Sequence, residues 1–334
     1  MSYFLTICTF AVIYAIACLA LNIRWGWGGQ FDFFVYGLVA LGAYTDAVLT
    51  LPPQPKDNTG LTYILGLRLP FVVGAIGAMA VTAAISLIVG AIALRQLRQI
   101  FFGIMTFASV LILAAVIENA QFIVNGYTGV YGVPQPFAGV LDLSFGAYRW
   151  FFLGLCVVVL ISVYAILQRI FWSPAGLVLR AVREDEFAAA AFGYNPYRQR
   201  LKAYVLGGAI AGLAGSLLIG YITAFNVDTW SPIETVLIFA AIITGGSGNN
   251  AGVILGSFVI FGLITQGTQF LPAIPGLGGQ TGAVRAIAIG LLTLAFLRWR
   301  PQGLLPERHF TVFRRRWPRS LLPTRADNGA ATPQ

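Results

Sequence analysis

Residues 176–193 read GLVLRAVREDEFAAAAFG, a charged, helix-forming island in a chain that is otherwise apolar. Arg180, Arg183, Glu184, Asp185 and Glu186 stand together, and the four alanines at 188–191 favour helix. Gly193 and then Asn195-Pro196 end the stretch, a glycine stop followed by a proline that cannot continue the helix. A polar helix between two apolar spans has no core of its own to join, so it reads as a handle gripped by something in the cytoplasm.

The surroundings of this island are those of a membrane protein. Of 334 residues 58% are hydrophobic and 10% charged, against roughly 25% charged in a soluble domain. Apolar runs close to the bilayer-spanning length recur along the chain. The expected fold is all-α and polytopic, with about 8–10 transmembrane helices of the spanning length. We place nine spans at 3–21, 31–51, 69–94, 100–118, 148–167, 203–225, 232–244, 251–271 and 283–297. Residues 1–300 then form a membrane domain carrying a polar loop at 169–202, and 301–334 a basic tail.

The net charge of +9 would suggest nucleic acid in a soluble chain. Its distribution argues otherwise. Arg95, Arg98, Arg169, Arg180, Arg183, Arg198, Arg200, Lys202 and the bases of the tail fall in alternate gaps between spans, as cytoplasmic segments should. The C-terminus is then cytoplasmic and the N-terminus opposite, with lipid head groups rather than nucleic acid as the partner of the Arg314-Arg315-Arg316 run. The other gaps hold mainly Lys56, Arg68 and Arg149; two of them, 52–58 and 119–147, are rich in turn formers and suit an external partner.

The span at 3–21 lacks a basic n-region and carries its small-residue triplet inside the apolar run, so it reads as a retained helix. Cys8, Cys18 and Cys156 lie within apolar runs with no metal-binding spacing. His309, the single histidine, is in the tail, which removes histidine metal centres and Ser-His-Asp triads from this chain. No catalytic residue, metal or cofactor is expected here. Asp46 and Glu118 sit at span ends, Glu234 opens the short span 232–244, and Asp32 reads as a cap for a helix beginning at Phe33. With no ionisable residue at the centre of a span, an ion-coupled carrier is disfavoured, and the missing catalytic constellations disfavour an intramembrane enzyme.

Gly208, Gly212 and Gly215, then Gly252 and Gly256, have the spacing of helix contacts. The run GGSGNNAG at 245–252 is either irregular backbone beside a pathway or a tight turn between helices. It is no phosphate-binding loop, lacking the Lys-Ser/Thr pair.

Ser173-Pro174-Ala175-Gly176 with Arg180-Ala181-Val182-Arg183-Glu184-Asp185-Glu186, then Gly193 and Lys202, resembles the cytoplasmic loop of branched-chain amino acid ABC transporter permeases of the LivM type. Ala211-Gly212-Leu213-Ala214-Gly215, Gly245-Gly246-Ser247-Gly248 and Arg300-Pro301-Gln302-Gly303-Leu304-Leu305 continue the likeness, as do Leu21-Asn22, Gly26, Gly29-Gln30 and Gly42-Ala43-Tyr44. Three places depart from it. Asp32 and Phe34-Val35 replace a serine and a Gly-His pair; the external Thr-Gly-Gly-Pro-type motif survives only as Tyr127-Thr128-Gly129-Val130-Tyr131-Gly132-Val133-Pro134; Leu177 stands where arginine is common.

The resemblance implies an inner-membrane permease of a bacterial ATP-driven importer. Its implied partners are a second, LivH-like permease, two cytoplasmic ABC ATPase subunits that carry the ATP and Mg, and a periplasmic solute-binding protein. Implied solutes are branched-chain or related apolar amino acids, with urea, short amides and small aromatic acids as alternatives in the same class. Gly176, Arg180, Arg183, Glu184, Asp185, Glu186 and Gly193 are the implied ATPase-coupling residues; a solvated helix held by local pairs such as Arg180 with Glu184 is the plainer reading. Gln30, Tyr127, Thr128, Gly129, Glu234, Gly245 and Gly246 are the candidate substrate pathway.

Overall fold

Every one of the nine apolar runs folds as helix in the computed structural model, which describes residues 2–53, 63–96, 99–138, 144–227, 232–266, 281–300 and 302–307. In chain order these are α1 (Ser2–Leu21), widening into a π-helical turn at Asn22–Trp27, α2 (Val35–Thr50), α3 (Phe71–Gln96), α4 (Gln99–Asn119) and α5 (Phe145–Trp172). The polar loop supplies α6 (Pro174–Glu184) and α7 (Glu186–Ala191). Then come α8 (Pro196–Ile222), α9 (Pro232–Gly245), α10 (Asn250–Ser257), widening into a π-helical stretch at Phe258–Gln266, and α11 (Thr281–Trp299). The end of the eighth expected span, and the tail beyond Glu307 with Arg314, Arg315 and Arg316, lie outside the described residues.

Among the described residues five helices are long and apolar enough to cross a bilayer unaided: Tyr3–Trp27, Phe71–Arg95, Phe101–Asn119, Gly146–Trp172 and Pro196–Ile222. The helices α2 and α9 have only 16 and 14 residues. At 1.5 Å per residue they reach about 24 and 21 Å, short of a hydrocarbon layer of about 30 Å. For α2 the non-helical segment 28–34 makes up part of the difference. The second span, expected from residue 31, becomes helical only at Val35, because Gly29 takes a left-handed turn (φ 67°) and the chain runs back into the bundle without helix as far as Phe34.

Helices α1 and α8 form the centre, 67% buried over their most apolar windows against 28% for α3, α4 and α5. Helix α8 packs on α2 and α3, α1 on α8, α5 and α10, and α9 beside α10. The small residues permit this spacing. A Cβ on Gly42 would strike the backbone of Gly212, one on Gly215 the Val39 carbonyl, one on Gly208 the Ser86 hydroxyl, and one on Gly256 the Ala241 carbonyl. The glycines expected at helix contacts are therefore at helix contacts.

Two ends emerge from these contacts. At one, the α3 terminus meets the start of α8 through Tyr197, whose hydroxyl donates to the Ala91 carbonyl at 3.4 Å, and α6 packs against α5, α8 and the Asn22–Trp27 turn. This end carries Arg95, Arg169, Arg198, Arg200 and Lys202. At the other, Val130–Tyr131 and Ala224–Phe225 form a two-stranded antiparallel sheet with Val130 opposite Phe225, and Tyr63 bridges Val124. The α1 start lies there too, Tyr221 meeting Thr6 at 3.1 Å. Alternate gaps of the sequence thus segregate to opposite ends, as their charge pattern required.

Candidate functional site

The basic end presents α6 and α7 as one projection. Pro174 opens α6, where a missing amide proton costs nothing, and the Ser173 hydroxyl accepts from the Gly176 amide at 3.4 Å. The helix is amphipathic, and its buried face comprises Gly176, Leu179, Arg180 and Val182. A side chain at Gly176 would strike the carbonyls of Ile170 and Phe171, so the α5–α6 corner is built on that glycine. Asp185 leaves the helix in an extended conformation, and its Oδ1 accepts from the Phe187 and Ala188 amides, both at 2.9 Å, capping α7. Gly193 (φ 84°) turns the chain into α8, which Asn195 caps by accepting from the Arg198 amide at 3.1 Å.

The seven expected coupling residues all lie on this projection, but their side chains do not share a face. Arg180 is 8% exposed. Its Nε donates to the Gly176 carbonyl at 3.2 Å, its Nη2 to the Phe171 carbonyl at 3.3 Å, and its guanidinium lies 4.1 Å from the Phe171 ring centre. Burial draws this guanidinium below its ordinary pKa, and the nearby Glu307 carboxylate opposes the shift. Arg183 also turns inward, while Glu186 pairs with Arg200 at 2.7 Å. Glu184 faces outward and reaches Arg183 at 3.8 Å. What projects furthest is apolar: Phe187 is 88% and Phe192 82% exposed. The sequence reading weighed charge and passed over these two rings, although paired phenylalanines bracketing an alanine run in a polar loop are themselves a signal.

Beneath the projection lies a polar knot that ties four segments together. Arg183 Nη1 donates to the Gly26 carbonyl, and Nη2 meets Glu307 Oε2 at 2.9 Å. The Gly248 amide donates to Asn22 Oδ1 at 2.9 Å, the Trp27 indole to the Gly248 carbonyl at 3.2 Å, and Asn22 Nδ2 to Asn250 Oδ1 at 2.9 Å. Residues 302–307 lie along the α9–α10 turn, with the Leu304 and Leu305 amides donating to the Thr244 and Gly245 carbonyls at 2.9 and 3.0 Å. Gly246 (φ 111°) and Gly248 (φ 85°) shape that turn, and side chains there would collide with Leu305 and Glu307. A tight turn therefore accounts for the glycines of 245–252.

Deeper in the bundle, Arg24 and Asp32 form an ion pair with no exposure on either side chain. Arg24 Nη2 donates to Ser86 at 3.0 Å, and the guanidinium lies 4.0 Å from the Tyr204 ring centre. Asp32 Oδ1 accepts from the Phe34 amide at 2.9 Å and the Tyr204 hydroxyl at 3.4 Å. Ser86 is ten residues from the end of α3, so the pair sits about 15 Å inside that end. The pair lies in the π-helical turn and the return segment rather than at the centre of a span. Asp32 does cap backbone, but it belongs to the non-helical return segment that the sequence reading merged with the second span. A buried, paired charge couple, here with the Arg24 Nε left without a partner among the described residues, is an element of structure and leaves the argument against an ion-coupled carrier in place.

The candidate pathway residues are not gathered into one site. Tyr127, Thr128 and Gly129 lie at the sheet end, where Gly129 (φ 73°) packs on Phe225 and Asn226. Glu234 is half-buried in the first turn of α9, within electrostatic reach of Tyr14 and Tyr36, whose hydroxyls meet at 3.1 Å. Gln30 is 3% exposed on the return segment, its side-chain amide without a partner among the described residues. Gly245 and Gly246 belong to the basic end.

Over residues 3–297 the chain matches the family described as branched-chain amino acid transport system / permease component. It is 29% identical over 322 residues to a probable branched-chain amino acid transport permease protein LivM of Methanocaldococcus jannaschii, covering 89% of this chain and 91% of that one. It is 28% identical over 320 residues to the high-affinity branched-chain amino acid transport system permease protein LivM of Escherichia coli (strain K12), covering 90% and 69%. A probable branched-chain amino acid transport permease protein LivH of Methanocaldococcus jannaschii is 31% identical over 204 residues, covering 60% and 62%. No solved structure matches the chain.

Proposed function

Because this chain belongs to the branched-chain amino acid transport system permease family, we propose that it is the membrane subunit of an ATP-driven importer, moving branched-chain or related apolar amino acids inward. The solute class rests on the LivM relatives. The likeness to a LivH protein supports a second, related permease as the partner across the membrane. Two ABC ATPase subunits, holding ATP and Mg, dock at the basic end, which faces the cytoplasm of the inner membrane. A periplasmic solute-binding protein delivers the amino acid to the sheet end.

The observation that carries this reading is the projection of α6 and α7. Its inner face is fastened to the bundle, and its outer face offers Phe187 and Phe192 almost wholly exposed. Burying a phenylalanine is worth about 1.5–3 kcal/mol, so a groove on an ATPase that took both rings would gain a firm hold. Closure of the ATPase pair on ATP would then push a lever. Catalysis is assigned to those subunits; this chain carries the solute path and receives the motion.

The test is reconstitution of the chain in liposomes with its second permease, the ATPases and the binding protein. Leucine uptake that needs ATP and every partner is the expected result. Uptake driven by a proton or sodium gradient with no ATPase present would overturn the proposal.

A further inference from the structure

We propose that Arg183 is the joint through which a displacement of α6 and α7 enters the membrane spans, acting on two arms at once. The inference rests on the reading above, in which the projection receives the push of the ATPases. Two of the charges that seem available to grip a partner are turned the other way. Arg180 fastens α6 to the end of α5, as the Gly176 and Phe171 carbonyls show. Arg183 bonds to segments distant in sequence on both sides, Gly26 and Glu307.

The first arm runs to α1. Arg183 donates to the carbonyl of Gly26, in the π-helical turn that ends α1, and its stem rests on Gly29, where a Cβ would stand 2.9 Å from the Arg183 Cγ. That turn opens the return segment to Asp32 and α2. A shift of Arg183 therefore bears on one of the two central helices and on the break in helical backbone that precedes α2. Wide helical turns and unwound segments are where a helix can change register at low cost.

The second arm runs to α9 and α10. Glu307, 17% exposed, holds Arg183 at 2.9 Å. Residues 302–307 are in turn bonded along the α9–α10 turn by the Leu304 and Leu305 amides and by Asn249, whose Nδ2 donates to the Pro306 carbonyl at 3.0 Å. Asn22 closes the loop by joining the α1 end to Gly248 and Asn250. Arg183 is thus a positioning residue, touching neither solute nor nucleotide, and lysine cannot replace it: an ammonium lacks the fork that serves a carbonyl and a carboxylate together.

The experiment is carried out on the full reconstituted complex and reads leucine taken up per ATP hydrolysed, beside the amount of assembled complex. Arg183→Gln lowers the uptake-per-ATP ratio about tenfold, Glu307→Ala lowers it less, and Arg183→Lys recovers it only in part. If the two residues form one joint, the Arg183→Gln/Glu307→Ala pair is no worse than Arg183→Gln alone. Should Arg183→Gln fail to assemble, Glu307→Ala alone tests the second arm. An unchanged ratio in assembled Arg183→Gln complex, full rescue by lysine, or strictly additive losses overturn the inference and leave the importer standing. Wild-type uptake that ignores ATP overturns both.

Discussion

Arg24 and Asp32 meet inside the bundle with neither side chain showing any solvent-exposed surface. Breaking such a pair on one side strands a charge among α1, α2, α3 and α8. Asp32→Asn or Arg24→Met is therefore expected to destabilise the fold by about 3–5 kcal/mol. Replacing both members with apolar residues of similar volume should recover much of that loss. Thermal unfolding of the detergent-purified chain measures it; single variants as stable as the double one would contradict the role of the pair.

Phe187 and Phe192 are expected to behave in the opposite way. Being almost fully exposed, they can be truncated to alanine with changes in folding stability within about 0.5 kcal/mol. Docking should suffer far more, since central aromatic anchors commonly carry 2 kcal/mol or more of a binding energy, roughly thirtyfold in affinity. Recovery of the ATPases with the purified permease, at equal permease yield, reads this directly.

Backbone contact predicts a contrast between two glycines. Gly215→Ala drives a methyl group into the Val39 carbonyl and the Ala43 amide, across the contact between α8 and α2. The variant should accumulate poorly or unfold early. Gly154→Ala, in α5, meets no atom within 4 Å and should be neutral or stabilising by up to about 1 kcal/mol, the helix propensity difference. Equal melting temperatures for the two would show that the α2–α8 contact is looser than described.

Sidedness can be checked with thiol reagents that do not cross the membrane. In a background with Cys8, half-exposed among the native cysteines, replaced by serine, a cysteine at Ala190 should react only from the cytoplasm. One at Tyr131, on the small sheet, should react only from outside. Labelling of position 190 in intact cells would reverse the orientation and remove the ATPase contact.

Much of this architecture was legible in the sequence because long apolar runs report helices directly, and alternating basic gaps report their ends. Gly193 and Asn195 marked the end of the loop helices correctly, since caps are local chemistry, whereas the break at Asp185 that divides the stretch into α6 and α7 was read only as part of the charged cluster. The failures were contacts between distant residues. Arg24 pairs with Asp32 through a break in helix that hydropathy cannot see, and Arg183 finds Glu307 across 124 positions. Charge in a polar loop suggested an outward grip, whereas Arg180 and Arg183 point inward and two aromatic rings project; direction on so short a helix is settled by which carbonyls lie beneath it. The substrate pathway was the least legible part, its candidate residues being distributed between both ends of the bundle.

The bonds of residues 302–307 to the α9–α10 turn also have a bearing on biosynthesis. A ribosome makes Glu307 after all of the described helices, so these are synthesised while Arg183 has only its neighbour Glu184 and still lacks Glu307. The fastening is a late stitch, made only when translation has passed α11. A product interrupted just after α11 would carry the described helices yet leave the lever without its Glu307 latch.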